Sequence, residues 1–229
     1  VFGLEASRTA LYQFRDRIGP YLDMWNRQVL HVAMERGLTK AARASLDSSS
    51  VAASASRKLL ANAERCEKRI QLLDEAIVAD AQGRSIDNSP YWMAKTMRGR
   101  SEQRERYQRV RHCLRQRHAE NEVRRKEYQK PSEKILVSWA DPESVFGLDK
   151  FKVYRPLYNV QLIRDLDSPL VLAYDVVAMT NEFSTVPQLT LLTSDFVGCL
   201  PKTPLADSGY VSIRVLEFCE SHGITLYAP

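Results

Sequence analysis

The residue types that build zinc sites and disulfide frameworks are scarce in this sequence, with four cysteines and four histidines in 229 residues. Cys66, Cys113, Cys199 and Cys219 are widely spread, with no C-x-x-C pair and no histidine at ligand spacing. His31, His112, His118 and His222 form no cluster. The pattern disfavours a zinc centre and reads as reduced, structural thiols of a cytoplasmic protein. Long hydrophobic runs are also missing. No segment approaches the ~18 apolar residues of a membrane helix, and the longest run, Pro169 to Thr180, is broken by Tyr174 and Asp175. The opening residues Val1 to Glu5 carry neither a basic nor a hydrophobic signal region and no initiator Met, so we expect no membrane attachment and a start that is incomplete.

What is present is ordinary in amount and unusual in placement. Hydrophobic residues make up 44% and charged residues 27%, which suits one sizeable core with room for an insertion. The net charge is +5. Between Arg98 and Lys130, however, 12 Lys or Arg face 5 Glu, so the rest of the chain is slightly acidic. A charge excess gathered in one stretch points to a local anionic partner. Arg104, Arg106, Arg109, Arg111, Arg115 and Arg117 fall within four helical turns and spread around the helix. They read either as DNA-phosphate contacts or as a solvated face paired with Glu102, Glu105 and Glu120.

Apolar spacing divides the chain. Leu11, Phe14, Ile18, Leu22, Trp25, Val29 and Val32 step by threes and fours, predicting two N-terminal helices split at Gly19-Pro20 and stopped at Gly37. Residues 1–40 form this helical segment. Ala42, Ala44 and Leu46 alternate with polar residues, a weak strand running into the serine turn after Asp47. Leu59, Ala63, Cys66, Ile70, Leu73 and Ile77 then form a helix seam. A second helix is expected over Tyr91 to Tyr128, completing an antiparallel hairpin inserted at residues 58–130. Beyond Pro131, strands are predicted at Ile135–Trp139, Tyr158–Ile163 and Leu170–Val177. A helix at Val186–Phe196, a short strand ending at Asp207, a helix at Val211–Ser221 and a strand at Ile224–Tyr227 follow. Without the insertion the order is β-β-β-α-β-α-β.

Asp47 and Asp207 each end a predicted strand, where open α/β sheets bind ligands. On parallel neighbouring strands their like charges would call for a divalent cation, and oxygen donors suit Mg²⁺ or Mn²⁺. The plainer alternatives are a turn residue at Asp47 and a helix N-cap at Asp207. Here a resemblance enters. Ser45-Leu-Asp-Ser-Ser-Ser-Val-Ala-Ala-Ser-Ala-Ser-Arg57 resembles the LDGS-x-VAA-x-ASR block of insertion-sequence transposases, with Ser48 in place of Gly. Asp141-Pro-Glu-Ser144, Tyr158-Asn-Val-Gln161 and Asp165-Leu-Asp-Ser-Pro-Leu170 resemble their DPEA, YNVQ and LDSPL blocks. Leu205-Ala-Asp-Ser-Gly-Tyr210 and Gly223-Ile-Thr-Leu-Tyr-Ala-Pro229 are similar to their LADAGY and GITLYAP blocks.

The resemblance to DDE-type transposases of bacterial insertion sequences implies an α+β fold. Its ribonuclease-H-like mixed sheet would span residues 41–229, with the helical hairpin inserted after the first strand. It implies that Asp47 and Asp207 are the first two catalytic, metal-binding acids of a D-D-E triad. Mg²⁺ or Mn²⁺ would be the cofactor, held weakly without a third acid. The partners implied are double-stranded DNA at transposon ends and a second subunit in the complete transposase, in the cytoplasm at the nucleoid. The third acid is expected beyond Pro229, since Glu217 and Glu220 precede the last strand and read as helix-surface residues. Asn181-Glu182 stands where relatives carry Asn-Asp. Asp141, Asp165 and Asp167 are expected to be structural. Asn159 and Gln161 share one strand face, serving the sheet or touching a DNA backbone. Two functions stay open: metal-dependent cleavage and strand transfer of DNA, or an inactive DNA-binding remnant.

Overall fold

A computed structural model describes residues 6–84, 89–179 and 185–229. Val1 to Glu5, Asn181-Glu182 and part of the loop after Ala81 lie outside the described residues. In chain order the elements are α1 (Arg8–Ile18), α2 (Leu22–Glu35), β1 (Arg43–Ala52), β2 (Leu60–Ala61), α3 (Ala63–Ala81), α4 (Met97–Glu122), β3 (Val137–Ser138), β4 (Val145–Leu148), β5 (Tyr154–Asp165), β6 (Val171–Val177), α5 (Thr185–Val197), β7 (Thr203–Leu205) and α6 (Ile213–Ser221). They form two compact units. The first contains Val1–Ser49, Val160–Val176 and Asn181–Pro229; the second contains Ser50–Asn159 and Val177–Thr180.

The chain is of the α+β class with a mixed sheet. A five-stranded sheet runs β4-β5-β1-β7, with β6 also pairing β5. β1 and β7 are parallel, and β4 and β5 antiparallel. Outside β7, Tyr227 forms a parallel bridge to Leu205. In the first unit Ala44 and Leu46 of β1, Ile163 of β5 and Leu172 of β6 meet Val186, Leu189, Phe196 and Val215 of the helices in one buried cluster. Alternation sets this face: β1 buries residues 44 and 46 and exposes Asp47, as a period of two requires.

In the second unit α3 and α4 form the expected helical pair. Asn62 caps α3 through the Arg65 amide, and Thr96 caps α4 through the Gly99 amide at 3.1 Å. Cys66, Ile70, Leu73 and Ala76 meet Tyr107, Val110 and Leu114 in the second core. The Arg69 guanidinium lies 4.6 Å from the ring centroids of both Trp92 and Trp139, a cation–π arrangement. Arg100 is 7% exposed; it pairs with Asp80 and donates to the Ala94 carbonyl at 2.9 Å.

Four expectations change. β1 does not stop at Asp47 but continues through Ser48–Ser50 to Ala52. Serine's turn preference is weak against pairing to the 12-residue β5, so tertiary context decides. Ile135–Trp139 is not a strand of the main sheet. Only Val137–Ser138 pairs, with β2, because Ile135, Val137 and Trp139 are drawn into the core of the helical pair. The main sheet takes the unforeseen β4 instead. The second helix is shorter than expected, with Met93 buried in the turn ahead of Thr96. The C-terminal strand reduces to the single bridge at Tyr227.

Arg100→Ala should destabilise the second unit by about 3–5 kcal/mol, because it strands Asp80 as a buried charge. Combining Arg100→Met with Asp80→Leu should recover most of that loss in denaturant titration.

Candidate functional site

The candidate carboxylates both belong to the first unit, and the sheet register relates them. Arg43 pairs with Thr203, Ala44 with Pro204 and Ser45 with Leu205. Asp47 follows two residues after Ser45 within β1, and Asp207 two residues after Leu205, past the end of β7. Leu46 and Ala206 are each 5% exposed and enter the core, whereas Asp47 and Asp207 are both exposed.

Each carboxylate is oriented by its own backbone. Asp47 Oδ1 accepts the Ser48 amide at 2.7 Å, and Asp207 Oδ1 accepts the Gly209 amide at 2.6 Å. Asp207 caps a single 3₁₀ turn, Ser208–Tyr210, and the α6 cap is Ser212. The helix N-cap expected at Asp207 is thus supplied by Ser212, and the cap Asp207 makes on the 3₁₀ turn does not occupy its whole carboxylate, whose two oxygens offer about four acceptor sites. Among the described residues neither aspartate takes part in an ion pair. Exposed carboxylates, being hard oxygen donors, fit Mg²⁺ or Mn²⁺ in chemistry. Among the described residues no three His, Cys, Asp or Glu side chains are grouped to hold a metal ion. Glu217 and Glu220 are exposed on α6.

Behind Asp207 lies a contact that its sequence neighbourhood did not reveal. Gln161 on β5 is fully buried, and its Oε1 accepts the Tyr210 hydroxyl at 3.2 Å and the Thr185 hydroxyl at 3.4 Å. Tyr210 closes the 3₁₀ turn by donating its amide to the Asp207 carbonyl at 3.1 Å. The turn carrying Asp207 is thus tied to β5. The only sequence signal was the polar Gln161 on the strand face that also carries Ile163. Asn159 is likewise buried, so both residues serve the interior. Asp165 accepts the Ser168 hydroxyl at 2.6 Å in the β5–β6 turn, Asp167 pairs with Arg43, and Asp141 accepts the Tyr158 hydroxyl at 2.7 Å. Burial and that bond to Asp141 push the Tyr158 hydroxyl well above the ordinary phenol range. All four cysteines are free thiols, and burial pushes Cys66 up to about 11.

The arginines of α4 are drawn largely into the second unit. Arg104 pairs with Asp74, and Arg111 and Arg115 approach Glu67 at 3.5 and 3.9 Å. Arg117 donates to the carbonyls of Glu143 and Ser144 at 3.2 and 2.6 Å, and burial lowers its pKa below the usual guanidinium range. Arg106 and Arg109 are exposed. The partners of these arginines are on α3 and the β3–β4 connection, while within α4 Arg98 pairs with Glu102 at 2.8 Å, one of the local ion pairs expected.

Comparison with family models, with curated proteins and with solved structures returns no match. No helix among the described residues is long and apolar enough to cross a membrane.

Proposed function

We propose that the chain carries the metal-binding part of a DDE-type DNA transposase with a ribonuclease-H-like sheet. The observation that supports this reading is the parallel pairing of β1 with β7, Arg43–Ser45 beside Thr203–Leu205, each strand leading within two residues to an exposed aspartate, Asp47 and Asp207. The strand order β6-β5-β1-β7, continued by the Tyr227 bridge, supports the fold assignment. So does the interrupted order of the chain, with a helical pair between β1 and β5. Asp47 and Asp207 would hold Mg²⁺ or Mn²⁺. Bound there, such an ion would supply the Lewis-acid chemistry of phosphodiester cleavage and strand transfer. The protein's own contribution is orientation. Backbone amides fix one oxygen of each carboxylate, and the Gln161–Tyr210 link holds the turn on which Asp207 sits.

Double-stranded DNA is the proposed partner, and α4 its electrostatic contact. Arg106 and Arg109 are the side chains available without rearrangement. Arg104, Arg111 and Arg115 sit in partly exposed pairs worth roughly 0–1 kcal/mol each, which phosphate can outbid. Those interhelical pairs favour a second reading of α4, in which its arginines fasten the helical pair and bind no DNA.

Manganese titration followed by electron paramagnetic resonance tests the site. Binding should saturate only in roughly the millimolar range with two carboxylate ligands. Asp47→Asn and Asp207→Asn should each abolish it, and binding unchanged in both variants would overturn the assignment. For the arm, the Arg106→Ala/Arg109→Ala pair should reduce the salt dependence of duplex binding by about two phosphate contacts, close to 0.9 per contact in the logarithmic slope. An unaltered slope would leave the second reading of α4.

A further inference from the structure

The tip of the β4–β5 hairpin presents an aromatic ring and two cations that its own unit does not use. Between β4 and β5 the chain turns through Lys150, Phe151 and Lys152, and the Asp149 amide donates to the Val153 carbonyl at 3.0 Å. Lys152 takes φ 60°, the left-handed residue that closes a three-residue hairpin loop. Phe151 is the apex and is 73% exposed. A lone exposed apolar side chain means nothing by itself. The support beneath this one is what sets it apart. Asp149 is 9% exposed; its Oδ1 accepts the Phe151 and Val153 amides, each at 2.9 Å, and Arg155 pairs with its Oδ2 at 2.9 Å. Loop tips are usually the least ordered part of a domain, yet a buried, neutralised carboxylate fixes the backbone that carries Phe151.

The charge around the ring has one sign. From Val145 to Arg155 three Lys or Arg stand against a single acid, Asp149, and Arg155 neutralises it. Among the described residues Lys150 and Lys152 take part in no ion pair. Lys150 Nζ lies 5.4 Å from the Phe151 ring centroid. At the base of the turn Tyr154 is 62% exposed, and its ring centroid lies 6.0 Å from that of Phe146. We propose that this tip is a contact for single-stranded DNA, with Phe151 and Tyr154 stacking on unpaired bases while Lys150 and Lys152 meet the flanking phosphates. Ring and cations act together on such a polymer, because unpaired bases offer free π-faces and the backbone between them is anionic. In a duplex the base faces are already stacked on one another, so the lysines alone are felt. The site is distinct from the α4 arginines, whose helix buries its one aromatic ring, Tyr107, at 4% exposure. The choice of DNA over RNA rests on the transposase reading; the stacking and the charge do not.

Fluorescence anisotropy with labelled oligo(dT) of about 12 nucleotides, within the span of one such surface, tests the whole chain. Phe151→Ala should weaken single-strand binding roughly tenfold and leave binding of a duplex of the same length almost unchanged. Phe151→Trp should restore or tighten it. Lys150→Ala combined with Lys152→Asn, asparagine being at ease in the left-handed region, should lower the logarithmic salt slope by about 1.4, near 0.7 per contact on a single strand. A fluorescent adenine analogue placed mid-strand should change its emission on the native chain and not on Phe151→Ala. Both lysines and Phe151 are exposed, so circular dichroism should show every variant folded. Absence of single-strand binding, equal losses on single strand and duplex, or an emission change that survives Phe151→Ala would each overturn the proposal. So would tighter binding of oligo(U), or Phe151-dependent binding to phosphatidylserine vesicles in place of the oligonucleotide. Manganese binding at Asp47 and Asp207 is read separately, so either assignment can fail alone.

Discussion

Three backbone pairs between β1 and β7 carry the rest of the molecule's logic. Arg43, Ala44 and Ser45 lie beside Thr203, Pro204 and Leu205 in parallel, although some 160 residues of chain separate them. A parallel pair has no tight turn to set its register, so the register must come from what the two strands bury. Here Ala44 and Leu46 share a cluster with Ala206, Tyr210 and Val215. A slip of one residue would turn Leu46 outward and Asp47 into the core, at the cost of an apolar side chain in water and a carboxylate out of it. The same packing that selects the fold therefore leaves both Asp47 and Asp207 in solvent.

Much of this arrangement was legible in the chain, for reasons that differ by element. α5, α6 and β6 stand close to where periodicity put them, because each buries one face against one partner. The split at Gly19-Pro20 was visible because proline removes a donor whatever surrounds it. Less visible was anything decided at a distance. Ser48–Ser50 read as a turn, and only the presence of β5 alongside makes them strand. Ile135 to Trp139 alternates as a strand should, yet its apolar side is used by helices α3 and α4. At the site, Asp47 and Asp207 could be picked out as acids next to short apolar alternations, although Asp47 lies within β1 and not at its end. The hydrogen bonds that hold them come from the Ser48 and Gly209 amides, which any sequence supplies. The tie from Tyr210 to Gln161 crosses 49 residues and leaves no local mark.

The arginine-rich helix shows the limit of counting charges. Its excess of positive charge is a property of the sequence alone, but electrostatic function depends on which guanidinium groups are already committed. α3 supplies Asp74, Asp80 and Glu67 to four arginines of α4. Arg117 is held by two carbonyls. Arg106 and Arg109 stay exposed, so fewer guanidinium groups of α4 are uncommitted than the charge count implies. The N-terminal helices teach the converse: apolar spacing identified them, yet Leu11, Phe14 and Trp25 stay exposed while α2 buries Leu30 and Ala33.

β7 is only three residues long, which would make a frayed margin of any sheet it bordered. It is not a border. The amides of Thr225 and Tyr227 donate to the carbonyls of Lys202 and Pro204, and the Ala206 amide donates to the Tyr227 carbonyl. The last few residues thus splint the far flank of β7, while β1 braces the near one. Amide protons around Pro204 and Ala206 should exchange as slowly as those of a much longer central strand, and clipping the chain before Thr225 would set the second aspartate adrift along with them.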